Sequence, residues 1–382
     1  MSEHGQKTDV VIVGGGVIGL SIAYALSREG VPVTLLDRGR FGQEASWAGA
    51  GIISPGSERP TRSPVSQLRT LSARLHEEWA VALREETGID NGYRRTGGVD
   101  VALEERDEHD LEAASGRWRE EGIAFERLRP EEFSRVEPAL GPEIRLAYFL
   151  PDRAQIRNPR HLRALAEACK NRGVILHEHA PALGFGISGE RVDSVLTAAG
   201  PISCARVVLA AGAWSGQLMR DLGVSVATRP VRGQIVLLAP GATRLRRIVE
   251  HGKNYLVPRD DGRILIGSTE EDVGFDRETT PQAIAGLHEL AARLCPALRD
   301  APIERSWAGL RPGSIDTRPY LGLAPGHTNL FVATGHQRAG LQLSTGTAAL
   351  MADLLMDRNP SINLSSFRVD RGADPSEDSF RS

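Results

Sequence analysis

The strongest constraint on the fold of this chain is residues 10–37, VVIVGGGVIGLSIAYALSREGVPVTLLD. Val10, Val11, Ile12 and Val13 form an apolar run long enough for a buried strand. Ile18, Ile22, Ala25 and Leu26 recur at helical spacing, and Gly30 ends that helix. A second apolar run, 33–36, closes on Asp37. Gly14, Gly16 and Gly19 occupy the turn between strand and helix in G-x-G-x-x-G order. Each glycine has a separate task. Gly14 permits the tight turn, Gly16 lets a pyrophosphate approach the backbone, and Gly19 lets the helix pack on the strand. The helix N-terminus then faces phosphate, and Asp37 is placed to bond ribose hydroxyls. The segment predicts a βαβ unit holding the ADP part of a dinucleotide. Arg38 alone would suggest a 2′-phosphate, but beside a retained acid it reads as a solvated residue.

The 382 residues suffice for two domains with sizeable cores. A net charge of −3 offers no basic field for nucleic acid, and no nucleic-acid partner is expected. Cys169, Cys204 and Cys295 lie far apart without metal-ligand spacing, so neither a metal nor a disulfide framework is expected. Cys169 falls on the apolar face of a helix and reads as core. No run of about 18 apolar residues suggests a membrane span. The polar start MSEHGQKTD lacks the apolar region of a signal, and the expected location is cytoplasmic. The Ser/Asp/Arg-rich tail, 371–382, is expected to be disordered.

Alternation of strand and helix predicts a doubly wound α/β unit, and it returns after an interruption. Residues 66–88 look helical, 97–103 follow a glycine turn as a strand, and 104–146 look mostly helical. Asn158 reads as a cap with Pro159 at the first helical position and Gly173 beyond the end. Residues 185–199 suggest a hairpin, 229–270 alternate in β fashion, 281–295 form a helix, and 330–355 repeat strand, glycine turn and helix. The expected division is a discontinuous nucleotide domain of 1–90, 148–222 and 312–370, with a β-rich substrate domain of 91–147 and 223–311 inserted.

Two later segments favour flavin over nicotinamide. One is the apolar strand that breaks at Ala211-Gly212. The other is Ala333-Thr334-Gly335-His336-Gln337-Arg338-Ala339-Gly340-Leu341, which places a second glycine turn and a new helix N-terminus near the chain end. A reduced isoalloxazine carries negative charge that such a helix end stabilises. With Ala45-Ser46-Trp47-Ala48-Gly49-Ala50-Gly51-Ile52-Ile53 and Trp307-Ala308-Gly309-Leu310-Arg311-Pro312-Gly313, these segments resemble the D-amino-acid-oxidase superfamily of flavin oxidoreductases. The closest likeness is to the glycine oxidases of ThiO type, and it covers nearly the whole chain.

That resemblance implies a Rossmann-like FAD-binding domain of glutathione-reductase type with an inserted antiparallel β-rich domain, and FAD in extended form. It places Gly14, Gly16, Val17, Ile18 and Gly19 at the pyrophosphate, and Asp37 and Arg38 at the adenosine ribose. Ala45, Ser46, Ala50, Gly51 and Ile52 would lie along the flavin, Ala182 at adenine, and Gly212 at the second turn. Gly335, His336, Gln337, Arg338, Ala339, Gly340 and Leu341 would close over the isoalloxazine. The related sarcosine oxidases tether flavin to a cysteine after the Arg-Pro strand. Residues 313–322 contain none, so non-covalent FAD is expected. Ile52 stands where the family can carry a methionine.

The activity implied is oxidation of glycine, sarcosine or D-alanine, with O2 reduced to H2O2 and a link to thiazole formation in thiamine synthesis. A homo-oligomer is also expected. Arg311 is the candidate carboxylate anchor, because a guanidinium binds a carboxylate through two parallel bonds. Its alternative is a strand arginine paired with a structural acid. Tyr255 would add a second bond to the carboxylate, and is otherwise a half-buried strand tyrosine. Arg338 would lie near substrate and flavin. His336 reads as a loop residue packed by the flavin rather than a base. Arg229, Arg232 and Arg259 read as solvated or salt-bridged surface residues. Glu250 stands where glycine oxidase has a second tyrosine. It would attract an amine, or be a surface-loop carboxylate. Two other readings remain: a dehydrogenase with a non-oxygen acceptor, and a tailoring oxidase of an N-substituted amino acid.

Overall fold

A computed structural model of the chain describes residues 9–372. The polar segment 1–8 and residues 373–382 of the expected tail lie outside the described residues. Arg371, assigned to that tail from composition, is held in place. Its guanidinium donates to both oxygens of Asp316 and stacks 4.0 Å from the Tyr320 ring centre.

The period-2 run Val10–Val13 decides the first sheet. Val10 and Ile12 face one core, Val11 and Val13 the opposite one. A strand with two buried faces sits mid-sheet, and this one does. The order is Tyr320–Leu323, Leu330–Thr334, Arg206–Leu209, Val10–Val13, Val33–Leu36, Ile175–His177. All pairings are parallel except the first. Helices Val17–Arg28, Pro64–Thr87, Asn158–Asn171 and Gly340–Leu355 pack together on one face. A three-stranded sheet, Gly184–Ser188, Arg191–Thr197 and Gly200–Ser203, serves the other face. Asn158 is the first residue of its helix rather than the cap before it. Its amide donates instead to Ser46 O, at 2.7 Å, and fixes the short helix Ala45–Ala48.

A second sheet of eight strands runs Ile303–Gly313, Arg229–Leu238, Ile264–Gly267, Asn254–Pro258, Ile248–His251, Gly98–Ala102, Leu146–Leu150, Glu126–Leu128. It is antiparallel except where Ile248–His251 meets Gly98–Ala102 in parallel. Strand Leu146–Leu150 lies wholly in this sheet and crosses the boundary expected at 147/148. Only Glu105–Glu121 and the short turn Phe133–Val136 of the stretch 104–146 are α-helical. Glu126–Leu128 and Leu146–Leu150 are strands, with Leu128 and Leu146 buried. Alternation again sorts the faces. Val236, Leu256 and Ile266 pack on helix Pro281–Leu294. Ile235, Tyr255, Val257 and Leu265 face Ala50 and Ile52 of the first unit.

Candidate active site

Between the two sheets lies a cavity of about 1510 Å³, larger than the roughly 300–1,000 Å³ of ordinary small-ligand sites. At one end it is lined by Asp37, Arg38 and Ala182. It passes Gly14, Gly16, Val17, Ile18, Ser46 and Gly212, and reaches Tyr255, Arg311 and Arg338 at the other end. Ala45, Ala50, Gly51, Ile52, His336, Gln337, Ala339, Gly340 and Leu341 also line it. Of the residues expected at the cofactor, Gly19 and Gly335 are not in the lining. They shape the turns behind it. A Cβ on Gly19 would stand 1.9 Å from Gly14 O, and Gly335 adopts φ +78° against the Tyr320 ring.

The lining suits an extended anionic dinucleotide. Helix Val17–Arg28 opens into the cavity with no side-chain cap and no acid in its first turn. Helix Gly340–Leu355 presents its N-terminus at the far end, likewise uncapped and without an acid. Two positive helix ends therefore serve one cavity. Ser46 Oγ accepts from Val17 N at 2.9 Å. Asp37 accepts from Gly15 N at 2.7 Å and Gly39 N at 2.8 Å, which fixes its carboxylate at the strand end. Arg38 is not simply solvated. It lies 3.7 Å from the Trp214 ring centre and pairs with Glu44. Six polar atoms buried in the lining, Arg69 Nε, Asn158 Oδ1, Thr317 Oγ1, His336 Nδ1, Arg338 Nη1 and Gln342 Nε2, have no hydrogen-bond partner among the described residues. His336 is buried and its Nε2 lies 3.1 Å from Thr347 Oγ1. Burial lowers its pKa to about 3, so the ring is neutral.

The other end of the cavity is built by strand register. Trp307 pairs with Ile235, Ile235 with Gly267, Gly267 with Tyr255, Tyr255 with Glu250, and Glu250 with Asp100. Directly paired residues share a face, so this row crosses the sheet on the cavity side. Arg311 lies four residues beyond Trp307 on the same strand and takes the same face. Two glycines make room. A Cβ on Gly233 would stand 2.2 Å from Arg311 Nη2, and one on Gly267 would stand 2.6 Å from the Tyr255 hydroxyl. The Arg311 guanidinium donates to Thr269 O at 3.0 Å and Ser268 Oγ at 2.5 Å. It has no carboxylate within ion-pair distance among the described residues. Burial lowers its pKa, and the adjacent Tyr255 opposes that.

Arg338 donates to Lys253 O and lies 3.8 Å from Glu270 Oε2. Glu270 also accepts from Lys253 Nζ at 2.8 Å and from Gln337 Nε2 at 3.1 Å. Burial would raise the Glu270 pKa, but Lys253, Arg338 and Arg311 hold it below the ordinary range.

Glu250 is in a strand, not a surface loop. It lines the cavity beside Tyr255. Arg232 and Arg259 are also corrections, because Arg232 is buried and Arg259 is half-buried. Arg232 is buried between Glu271 and Asp276. Arg259 donates to Ala50 O at 2.7 Å and Gln155 Oε1 at 3.0 Å, bracing the loop that lines the cavity. Arg229 pairs with Asp272 in solvent, as its sequence context suggests. Sequence reasoning missed Ser268, Thr269, Lys253, Glu270, Asp100 and Arg153. The signal available was Gly233 and Gly267, glycines inside apolar strands, which mark close approach by another group.

Residues 9–354 match the family described as FAD dependent oxidoreductase (DAO). The chain is 39% identical to a glycine oxidase of Pseudomonas aeruginosa over 356 residues, covering 93% of this chain and 96% of that one. It is 34% identical to a bifunctional protein ThiO/ThiG of Synechocystis sp., covering 95% of this chain and 54% of the longer relative. Among solved structures, glycine oxidase from Geobacillus kaustophilus superposes with a TM-score of 0.91 at 34% identity, covering 96% of this chain and all of that one.

Proposed function

From its membership of the DAO family of FAD dependent oxidoreductases, we propose that this chain is an oxidase of glycine or another small amino acid such as sarcosine or D-alanine. The observation that carries this reading is the Arg311 guanidinium. It is half-buried on the cavity face, in space opened by Gly233, and set against Tyr255. A guanidinium largely withdrawn from water and without a carboxylate partner favours the arrival of an anion, and a planar fork suits a carboxylate.

The residues take the following roles. The N-terminus of helix Val17–Arg28, with Gly14 and Gly16, receives the pyrophosphate, and Asp37 bonds ribose. The N-terminus of helix Gly340–Leu355 lies where the isoalloxazine would reach, and its dipole favours a reduced, anionic ring. FAD held by these residues would supply a two-electron acceptor for the substrate Cα–H, with O2 as the final acceptor and H2O2 as its product. Arg311 and Tyr255 hold the carboxylate, which fixes the Cα relative to the ring. Arg338, tied to Lys253 O and near Glu270, adds positive charge beside the same end. Ile52 and Ile235 form apolar walls that limit water. No cysteine lines the cavity among the described residues, which supports non-covalent FAD. The imine product either hydrolyses to keto acid and ammonia or feeds thiazole formation in thiamine synthesis. The ThiO part of the two-part Synechocystis relative supports the second fate.

The test is an anaerobic titration of the yellow holoprotein. Glycine, sarcosine or D-alanine should bleach the flavin. If none of them does so, the amino-acid reading fails. Peroxide formed per substrate consumed in air should approach one. A yield near zero would instead indicate a dehydrogenase with another acceptor.

A further inference from the structure

Glu250 pairs across the strands with Tyr255 on one side and Asp100 on the other. Arg153, fully buried, donates through both terminal nitrogens to Asp100, and its Nη1 lies 3.2 Å from Glu250 Oε2. One arginine thus serves two acids, and Asp100 takes the bidentate share. Glu250 Oε1 has no hydrogen-bond partner among the described residues, and its side chain retains 16% exposure toward the cavity. Glu270, a further acid at this end, has both oxygens engaged, by Lys253 and Gln337.

We propose that Glu250 accepts the ammonium proton of the incoming amino acid, so that oxidation starts from the neutral amine. This rests on the carboxylate placement between Arg311 and Tyr255. An α-amino nitrogen is two bonds from the carboxylate carbon. Glu250 is one strand beyond Tyr255, a spacing of about 4.8 Å. In the step, a substrate N–H bond breaks and an O–H bond forms on Glu250 Oε1, with no change of oxidation level. The proton leaves to solvent when the site opens to water.

Groups facing Glu250 come from every neighbouring element: Asp100, Arg153, Tyr255 and Arg338. Burial pushes the Glu250 pKa up to about 7, Arg153 pulls it down, and Asp100 pushes it up again. A carboxylate tuned near neutrality can take a proton and return it.

The experiment is anaerobic stopped-flow reduction of the holoprotein by glycine across pH, with E250Q and E250D, and spectral titration with glycolate, which has a carboxylate but no amine. Wild type should lose its second-order reduction rate constant tenfold per unit below pH about 7. E250Q should be slower at neutral pH by about 100-fold. Its rate should climb tenfold per unit toward wild type as the amine loses its proton unaided. Glycolate affinity should change less than about twofold. E250D should keep an acid limb, moved to lower pH by the lower intrinsic pKa of aspartate. An unchanged pH profile in E250Q, an acid limb of E250D superimposed on that of wild type, or equal losses for glycine and glycolate would overturn the assignment and leave the amino-acid reading intact. Failure of wild type to be reduced by any amino acid would instead remove both.

Discussion

Replacing Gly233 with alanine should cripple carboxylate binding while leaving the fold and its FAD in place. The new Cβ would stand 2.2 Å from Arg311 Nη2 and 2.4 Å from Cζ and Nη1. Carbon atoms prefer about 3.5–4.0 Å, so the guanidinium must retreat by more than about 1 Å. The obstructing atoms are the tip of a flexible side chain, so the side chain moves rather than the strand. That retreat withdraws the bonds to Thr269 O and Ser268 Oγ and spoils the fork that meets the substrate. Hydrogen bonds to a charged group contribute about 1.5–3 kcal/mol each, so kcat/KM for glycine should fall about 10- to 100-fold. Glycolate affinity, read from the flavin spectrum, should fall by a similar factor. FAD per chain and Tm should stay near wild type. Unchanged glycolate affinity would refute the reasoning, because Arg311 would then not be the group that glycine at 233 makes room for. Loss of FAD or of folding would refute it differently, by showing that the strand and not the side chain yields.

Two further expectations concern the frame. Gly19→Ala should yield protein with little FAD, since the new Cβ would meet the Gly14 carbonyl at 1.9 Å and backbone must move at the phosphate turn. Stoichiometric FAD in that variant would refute the packing role. Mild acid should destabilise the holoprotein through three buried histidines. Burial lowers the pKa of His76 to about 4, and of His161 and His336 to about 3. The unfolded chain takes up protons below about 6.5 while the folded one does not. Stability is therefore fully present above that pH and declines as pH falls, by up to about 1.4 kcal/mol per unit for each histidine. Urea unfolding at successive pH values measures this, and a flat profile between neutrality and pH about 5 would refute it.

The N-terminal unit was legible because its determinants are local. Four apolar residues, three glycines and a terminal acid fix strand, turn, helix and strand within one short segment, and alternation alone separates Val10 from Val11. The second glycine turn, 333–341, was legible for the same reason. The stretch 104–146 misled because its charged surface hides a short edge strand whose only apolar residue is Leu128. Asn158 has the side chain of a cap, but its partner, Ser46 O, comes from a short helix distant in the chain. Arg259 looks like a surface charge in its own segment and is half-buried only because the loop at Ala50 packs against it.

By itself, the sequence determined that this chain binds a dinucleotide at a strand–helix turn, and its motifs pointed to Arg311 and Tyr255 as candidates. Only the tertiary structure decided what surrounds them. Register across five strands places Glu250, Tyr255 and Gly267 in one row, and Gly233 under Arg311. It also gives Arg153 two acids to share, leaving one Glu250 oxygen to the cavity. Pairing between strands far apart in the chain is set by burial of whole faces, so no local pattern encodes which side chains will meet.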